Sequence, residues 1–201
     1  MVNAEKQMEK RKWRKIKMIL AAVGKNASGK DYFLEFISRE YGIPLLSMGD
    51  VARDLAEKEG LEKTRENLHY ISEKYMGIYG QDFFPNQLIE KIKALNAESV
   101  LVSGVRPPSD VEKFKTAFGK NFYLAAIIVS DDHVRYERTR SRGSARDDVT
   151  FEKFLELDEH EEALFHTSQS IGMADFVLYN DAPGEAFHNE IREFYRKNFV
   201  D

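Results

Sequence analysis

The sequence has no cysteine, which excludes disulfides, thiol nucleophiles and thiolate metal sites. It has only 5 prolines and 12 glycines in 201 residues, and no Pro/Gly-rich linker, repeat or low-complexity tract interrupts it. Long apolar runs are missing too. Met18–Val23 is the longest near the N-terminus, far short of a membrane span. The basic stretch Lys10–Lys17 precedes a run too short for a signal-peptide core. Residues 1–17 therefore read as a basic, solvated leader to the first strand, with an arm for an anionic partner as the sharper alternative. Excess positive charge is absent, the net charge being −4, so no specific nucleic-acid partner is expected. The histidines are scattered without metal-ligand spacing. With no span and no leader peptide, the expected location is the cytoplasm.

What is present suits one α/β domain over residues 18–201. Hydrophobic residues make up 42% and charged residues 32%, enough for a sizeable core. Five short apolar runs read as strands covered on both faces: Met18–Val23, Pro44–Met48, Val100–Ser103, Leu124–Val129 and Phe176–Leu178. Helical patterns alternate with them, which argues for a parallel sheet. Pro107 and Pro108, followed by Ser109 and Asp110, mark a loop and then a helix start.

The first strand runs into Gly24-Lys25-Asn26-Ala27-Ser28-Gly29-Lys30-Asp31, a G-x-x-x-x-G-K phosphate loop with Asp31 where Ser or Thr is usual. Glycines let backbone N–H groups turn inward around phosphate oxygens, and the following helix adds its positive end. Lys30 supplies a mobile charge for the β- and γ-phosphates. These residues are the candidate ATP site. Asn180, after the last strand, is a candidate for the adenine side, with a turn role as the alternative.

Three further segments carry cations. Leu46-Ser47-Met48-Gly49-Asp50-Val51-Ala52-Arg53 follows the second strand; Val102-Ser103-Gly104-Val105-Arg106 ends the third. Arg135, Arg138 and Arg142, three and four apart, share one helix face, ahead of Gly143 and Arg146-Asp147-Asp148. Surface ion pairing of Asp50, Arg53 and Glu57 is the plainer account of the second segment. Between Thr64 and Gln87, Arg65, His69, Tyr70 and Tyr79 are candidates to contact an acceptor's base; the spacing of Leu68, Ile71 and Tyr75 equally suits an amphipathic helix packing on the core, with Tyr70 and Tyr79 packed there.

These four motifs, in this order over about residues 18–180, resemble the P-loop nucleoside monophosphate kinases. The first segment is similar to their S-T-G-D-x-x-R and the second to D-G-F-P-R. The G-K-x-x-S-G-K-D cradle and V-S-x-x-R look more like phage deoxynucleoside monophosphate kinases and animal-type phosphomevalonate kinases. The S-M-G-D segment and Ala174–Asn180 look like archaeal-type relatives of adenylate and dephospho-coenzyme A kinases. The resemblance implies a three-layer α/β P-loop NTPase with a five-stranded parallel sheet in order 2-3-1-4-5. Small inserts would bind the acceptor (about 49–96) and form a lid (about 140–150).

It also implies roles. Lys30, Arg106, Arg138 and Arg142 would be catalytic, and Asp50, Arg53 and Arg106 would bind the acceptor. The expected reaction moves the γ-phosphate of Mg-ATP to a small phosphorylated acceptor, first of all a nucleoside or deoxynucleoside monophosphate. Dephospho-coenzyme A or phosphomevalonate are alternative acceptors, and an alcohol acceptor would want a base such as Asp50. A non-catalytic ATP-binding regulator is the alternative class. Family members hold Mg²⁺ between a hydroxyl after the cradle lysine and an aspartate ending the third strand. Here those groups are exchanged, so Asp31 and Ser103 are the expected metal-facing pair.

Overall fold

The computed structural model describes residues 16–141, 149–181 and 184–200. Residues 1–15 of the basic leader lie outside these, as do Arg142, Gly143 and Arg146-Asp147-Asp148 of the expected lid.

Five strands form one parallel sheet in the order β2-β3-β1-β4-β5. They are β1 (Met18–Val23), β2 (Leu45–Ser47), β3 (Ser99–Ser103), β4 (Phe122–Ile128) and β5 (Phe176–Tyr179). All four strand pairings are parallel, with β1 flanked by β3 and β4. Helix α1 (Lys30–Tyr41) follows β1; α2 (Met48–Lys58), α3 (Arg65–Tyr79) and α4 (Phe83–Ala94) lie between β2 and β3. Then come α5 (Pro108–Phe118), α6 (Asp132–Ser141), α7 (Phe151–Phe165), the short α8 (Thr167–Gly172) and α9 (Gly184–Phe199).

Alternation along β1 divides the core. Ile19, Ala21 and Val23 pack on one face against α2, α4 and α5, through residues such as Val51, Leu88 and Phe114. Met18, Leu20 and Ala22 pack on the other against α1 and α9, through Phe33, Leu34, Phe187 and Ile191. This gives three layers, helices on both faces of the sheet, as right-handed crossovers between parallel strands require. All six side chains of β1 are buried. Truncating the fully buried Leu20 to Ala would cost about 2–5 kcal/mol.

Strand ends differ from the sequence reading for local reasons. Ser47 is an N-cap: its hydroxyl accepts from the Asp50 N–H at 3.1 Å, so Met48 already belongs to α2. Pro44 lies before β2, yet its carbonyl accepts from Leu101 N–H at 2.9 Å and keeps the chain on the sheet. On the other side of β1, β4 begins two residues early, at Phe122, which pairs with Ile19.

Candidate functional site

Because the sheet is parallel, the carboxyl ends of β1, β2 and β3 open on one side, and the candidate residues gather there. The loop after β1 turns tightly, with positive φ at Ala27 (59°) and Gly29 (91°). A Cβ at Gly24 would lie 2.4 Å from the Ile127 carbonyl, and one at Gly29 would lie 2.4 Å from Asn180 Nδ2. Both positions therefore demand glycine. Asn180 donates that Nδ2 to the Ser28 carbonyl at 2.8 Å, so it braces the loop from outside. Inside, the Ser28 hydroxyl is buried and has no partner among the described residues.

Gly24, Lys25, Asn26, Lys30 and Arg106 line one narrow cleft of about 20 Å³. The opposite wall is acidic: Asp158 and Glu161 of α7 face the same cleft, with Lys25 Nζ 3.3 Å from Asp158 Oδ2. Asp31 and Ser103 meet directly, the Ser103 hydroxyl donating to Asp31 Oδ1 at 2.6 Å. Lys30 Nζ lies 3.8 Å from the other carboxylate oxygen. The Asp31 side chain is 58% exposed, so an ion that keeps its water shell can reach the carboxylate. Among the described residues no cluster of three or more acidic or His groups forms a ready-made metal cage. Mg²⁺ takes one or two protein oxygens plus phosphates and water, so a single carboxylate with a hydroxyl beside it is enough to hold it. This pair fits it.

A second cavity of about 560 Å³ opens beside the cleft, within the usual range for small ligands. Met48, Met76, Phe84 and Phe165 give it apolar walls, while Arg106 and Asp110 supply charge. Gly104, at φ 88°, lets the β3–α5 loop pass close under Met48. Arg106 lines both spaces, with its guanidinium carbon 5.0 Å from the Phe165 ring centre. Ser170 fixes its backbone by donating to the Arg106 carbonyl at 2.6 Å. Asp110 accepts a long hydrogen bond from Arg106 N–H at 3.4 Å. Burial pushes its carboxyl up to about 6; that bond opposes the rise and the Asp82 charge adds to it.

Asp50 is differently employed. Its carboxylate accepts from Ser47 N–H at 2.7 Å and from Arg53 at 2.5 Å. Burial works against its charge, but the hydrogen bonds from Arg53 and Ser47 prevail and hold its carboxyl below the ordinary value. A carboxylate so held is a poor proton acceptor, and Asp50 acts here as a helix cap that orients Arg53. Arg53 also donates to Ser47 Oγ at 3.1 Å and lies against Gly49, which lines the second cavity. The aromatic and cationic candidates of α3 do not enter that cavity: Tyr70 and Tyr79 are exposed, as are Arg65 and His69. Ser72, Met76 and Gln81 of the same stretch line it instead.

The arginines of α6 part company. Arg135, read as one of three arginines on the lid face, is buried to 1% exposure. It donates to both carboxylate oxygens of Asp158 at 2.9 and 2.7 Å, and to the Asn26 carbonyl of the cradle at 3.1 Å. Burial opposes its charge, but hydrogen bonds to Asp158 and Asp132 outweigh that and hold the guanidinium above its usual value. Arg135 is thus a structural tie between α6, α7 and the cradle. Of its two acid partners Asp132 lies on the same helix, but Asp158 lies 23 residues further on, which a helix-face reading could not supply. Arg138 donates to the Asn180 carbonyl at 2.8 Å and lies outside the narrow cleft. Arg142 falls outside the described residues.

A strand–loop–helix phosphate cradle at the carboxyl edge of a 2-3-1-4-5 parallel sheet defines a P-loop, kinase-like nucleotide-binding fold. The chain belongs to the AAA domain family, whose model matches residues 23–154, and with it to the UPF0200 proteins. It is 36% identical over 182 residues to a UPF0200 protein of Pyrococcus abyssi, covering 90% of this chain and 96% of that one. It is 37% identical over 181 residues to a UPF0200/UPF0201 protein of Archaeoglobus fulgidus, covering 89% of this chain but 55% of that longer one. Among solved structures it resembles TT1252 from Thermus thermophilus (TM-score 0.60, 18% identity, 92% of this chain and 99% of that one). It also resembles shikimate kinase from Bacteroides thetaiotaomicron (TM-score 0.53, 13% identity, 90% and 96%). A gluconokinase from Sinorhizobium meliloti is similar again (TM-score 0.53, 15% identity, 92% and 99%). Among the described residues no helix is long and apolar enough to cross a membrane.

Proposed function

We propose that this chain is an ATP-dependent phosphotransferase that moves the γ-phosphate of Mg-ATP to a small phosphorylated acceptor, a nucleoside or deoxynucleoside monophosphate first of all. The observation that carries the reading is Arg106, one residue lining both the cleft at the cradle and a second cavity of small-ligand size. A nucleotide-binding protein without an acceptor has no need of that second space. The shikimate kinase and gluconokinase likenesses support a kinase without naming the acceptor.

Donor phosphates would lie in the Gly24–Lys30 cradle, with Lys30 on the β- and γ-oxygens. An acceptor oxygen forms a bond to the γ-phosphorus as the bond to the β,γ-bridging oxygen breaks. The electron pair leaves with ADP. Positioning and charge neutralisation account for most of such catalysis, so Lys30 and Arg106 are the residues to credit. Mg²⁺, when bound near Asp31 and Ser103, supplies further neutralisation of the β,γ-oxygens. A phosphate acceptor is already anionic and needs no general base.

A second reading, a nucleotide-binding regulator, draws on the acidic wall of Asp158 and Glu161 across from the cradle. One incubation separates the two: Mg-ATP with a panel of nucleoside monophosphates, following ADP and the matching diphosphate together. Paired products, lost by orders of magnitude in Lys30→Ala, support the kinase. ADP formation at one rate with and without every acceptor supports the regulator.

A further inference from the structure

The second cavity holds one charged group that the proposed transfer does not use. Asp110 lies on the first turn of α5, four residues after Arg106, and lines the same space. Helix-dipole stabilisation alone would leave such an acid at the surface. This one is partly buried and shares a cavity wall with Met48, Met76, Phe84 and Phe165, and the one hydrogen bond to its carboxylate among the described residues is long. A half-buried carboxylate in apolar surroundings is costly unless a partner arrives to satisfy it.

The chemistry of that partner is restricted. An ionised carboxylate only accepts hydrogen bonds, with two oxygens side by side, so its ligand must donate, and best of all donate twice. Methionine and phenylalanine walls suit a flat, polarisable ring. Among nucleobases, the Watson–Crick edge of guanine places an N–H beside an NH₂. Adenine and cytosine set a donor beside an acceptor, and uracil sets its one N–H between two carbonyls.

We infer that Asp110 reads the acceptor's base: the cavity takes a nucleoside monophosphate whose ring presents two adjacent N–H donors, as guanine does, while its phosphate lies against Arg106. This rests on the phosphotransferase reading and adds a specificity to it. Asp110 is a recognition residue; the transfer itself stays with Lys30 and Arg106.

The test compares GMP and dGMP with AMP, CMP and UMP as acceptors for Mg-ATP, measuring kcat/KM for each by diphosphate formation. Wild-type protein is expected to favour the guanine acceptors by about 10²-fold or more, since a site built to pair buried polar groups rejects ligands that leave them unpaired. Asp110→Asn, and Asp110→Ser as a smaller second variant, should raise KM for GMP at least about tenfold and erase the preference while leaving KM for ATP in place. The phosphate of GMP takes up a proton at about pH 6 in both proteins, so the reading is the ratio of KM for GMP in wild type to that in Asp110→Asn, which should rise below about pH 6. The charged groups facing Asp110 are Arg106 and Asp82, the latter paired with Lys113, so they are kept unchanged in both proteins. Equal use of AMP, CMP and GMP, or a preference untouched by both variants, overturns the inference and leaves the kinase reading standing. No diphosphate from any monophosphate overturns both.

Discussion

Ser103, ending the third strand, donates its hydroxyl to Asp31 in the first turn of α1 at 2.6 Å, across 72 residues of sequence. Sheet order makes this possible: β1 and β3 are neighbours, so the residues just past their carboxyl ends face each other. One carboxylate and one hydroxyl thus stand together beside Lys30. If they share one ion with the nucleotide, Asp31→Ser and Ser103→Asp should each raise the Mg²⁺ concentration needed for half-maximal ADP formation. The double variant should recover part of that loss, because it restores one group of each kind. Strictly additive losses in this cycle would show that the pair only tidies the helix start.

Arg53 is held by Asp50 and Ser47 against Gly49, which lines the second cavity, and on the proposed reading that places it beside the acceptor. Arg53→Ala should therefore weaken acceptor use by a few kcal/mol, the scale of one charge-assisted contact, with ATP affinity little changed. Titration calorimetry with ATP, beside acceptor KM values, reads the two separately. Equal weakening of both ligands would place Arg53 on the wrong side of the site.

Asp110 predicts an unusual pH dependence of stability. Its folded value of about 6 lies above the 3.8 of an unperturbed aspartate, so the folded protein holds this proton more tightly. The corresponding stability is fully present below about pH 4 and is lost as pH rises through 6. Above that range the wild type carries a half-buried charge that Asp110→Asn lacks. The variant should be more stable at pH 7–8 by on the order of 2 kcal/mol, with the advantage gone near pH 4. Thermal melts across pH 4–8 check this; a variant less stable than wild type at pH 8 contradicts the cause given for the shift.

Arg135 tests the structural tie. Replacing it with Met removes the buried fork and leaves Asp158 with Lys25 as its one cation among the described residues, a loss of up to about 3–5 kcal/mol. Asp158→Asn combined with Arg135→Met should cost less than the sum of the single changes. Urea unfolding of the four proteins measures the coupling.

Much of this was legible in the chain. Strand β1 came out with its ends in place because six consecutive apolar residues stop at a glycine, and the cradle follows from local spacing alone. The meeting of Asp31 with Ser103 was also within reach, since strand order brings two sequence-marked positions together. Asp110 was not. An acid in the first turn of a helix reads as ordinary dipole stabilisation, and only the packing of α2–α4 and the end of α7 around it makes a cavity wall. The structural role of Arg135 was not legible for a related reason. A run of arginines on one helical face looks solvated or catalytic until Asp158, on a different helix, turns it inward.

The acidic wall gives the cradle an internal counter-ion. Asp158 rests on Lys25 and is shared with the Arg135 fork, so incoming polyphosphate exchanges one anion for another instead of shedding dissolved ions from a bare cationic pocket. Release of mobile ions is what makes phosphate recognition collapse in concentrated salt. A cradle neutralised by its own side chain has fewer to release. On the phosphotransferase reading, nucleotide binding should therefore weaken less with added salt than it would in a bare cationic pocket.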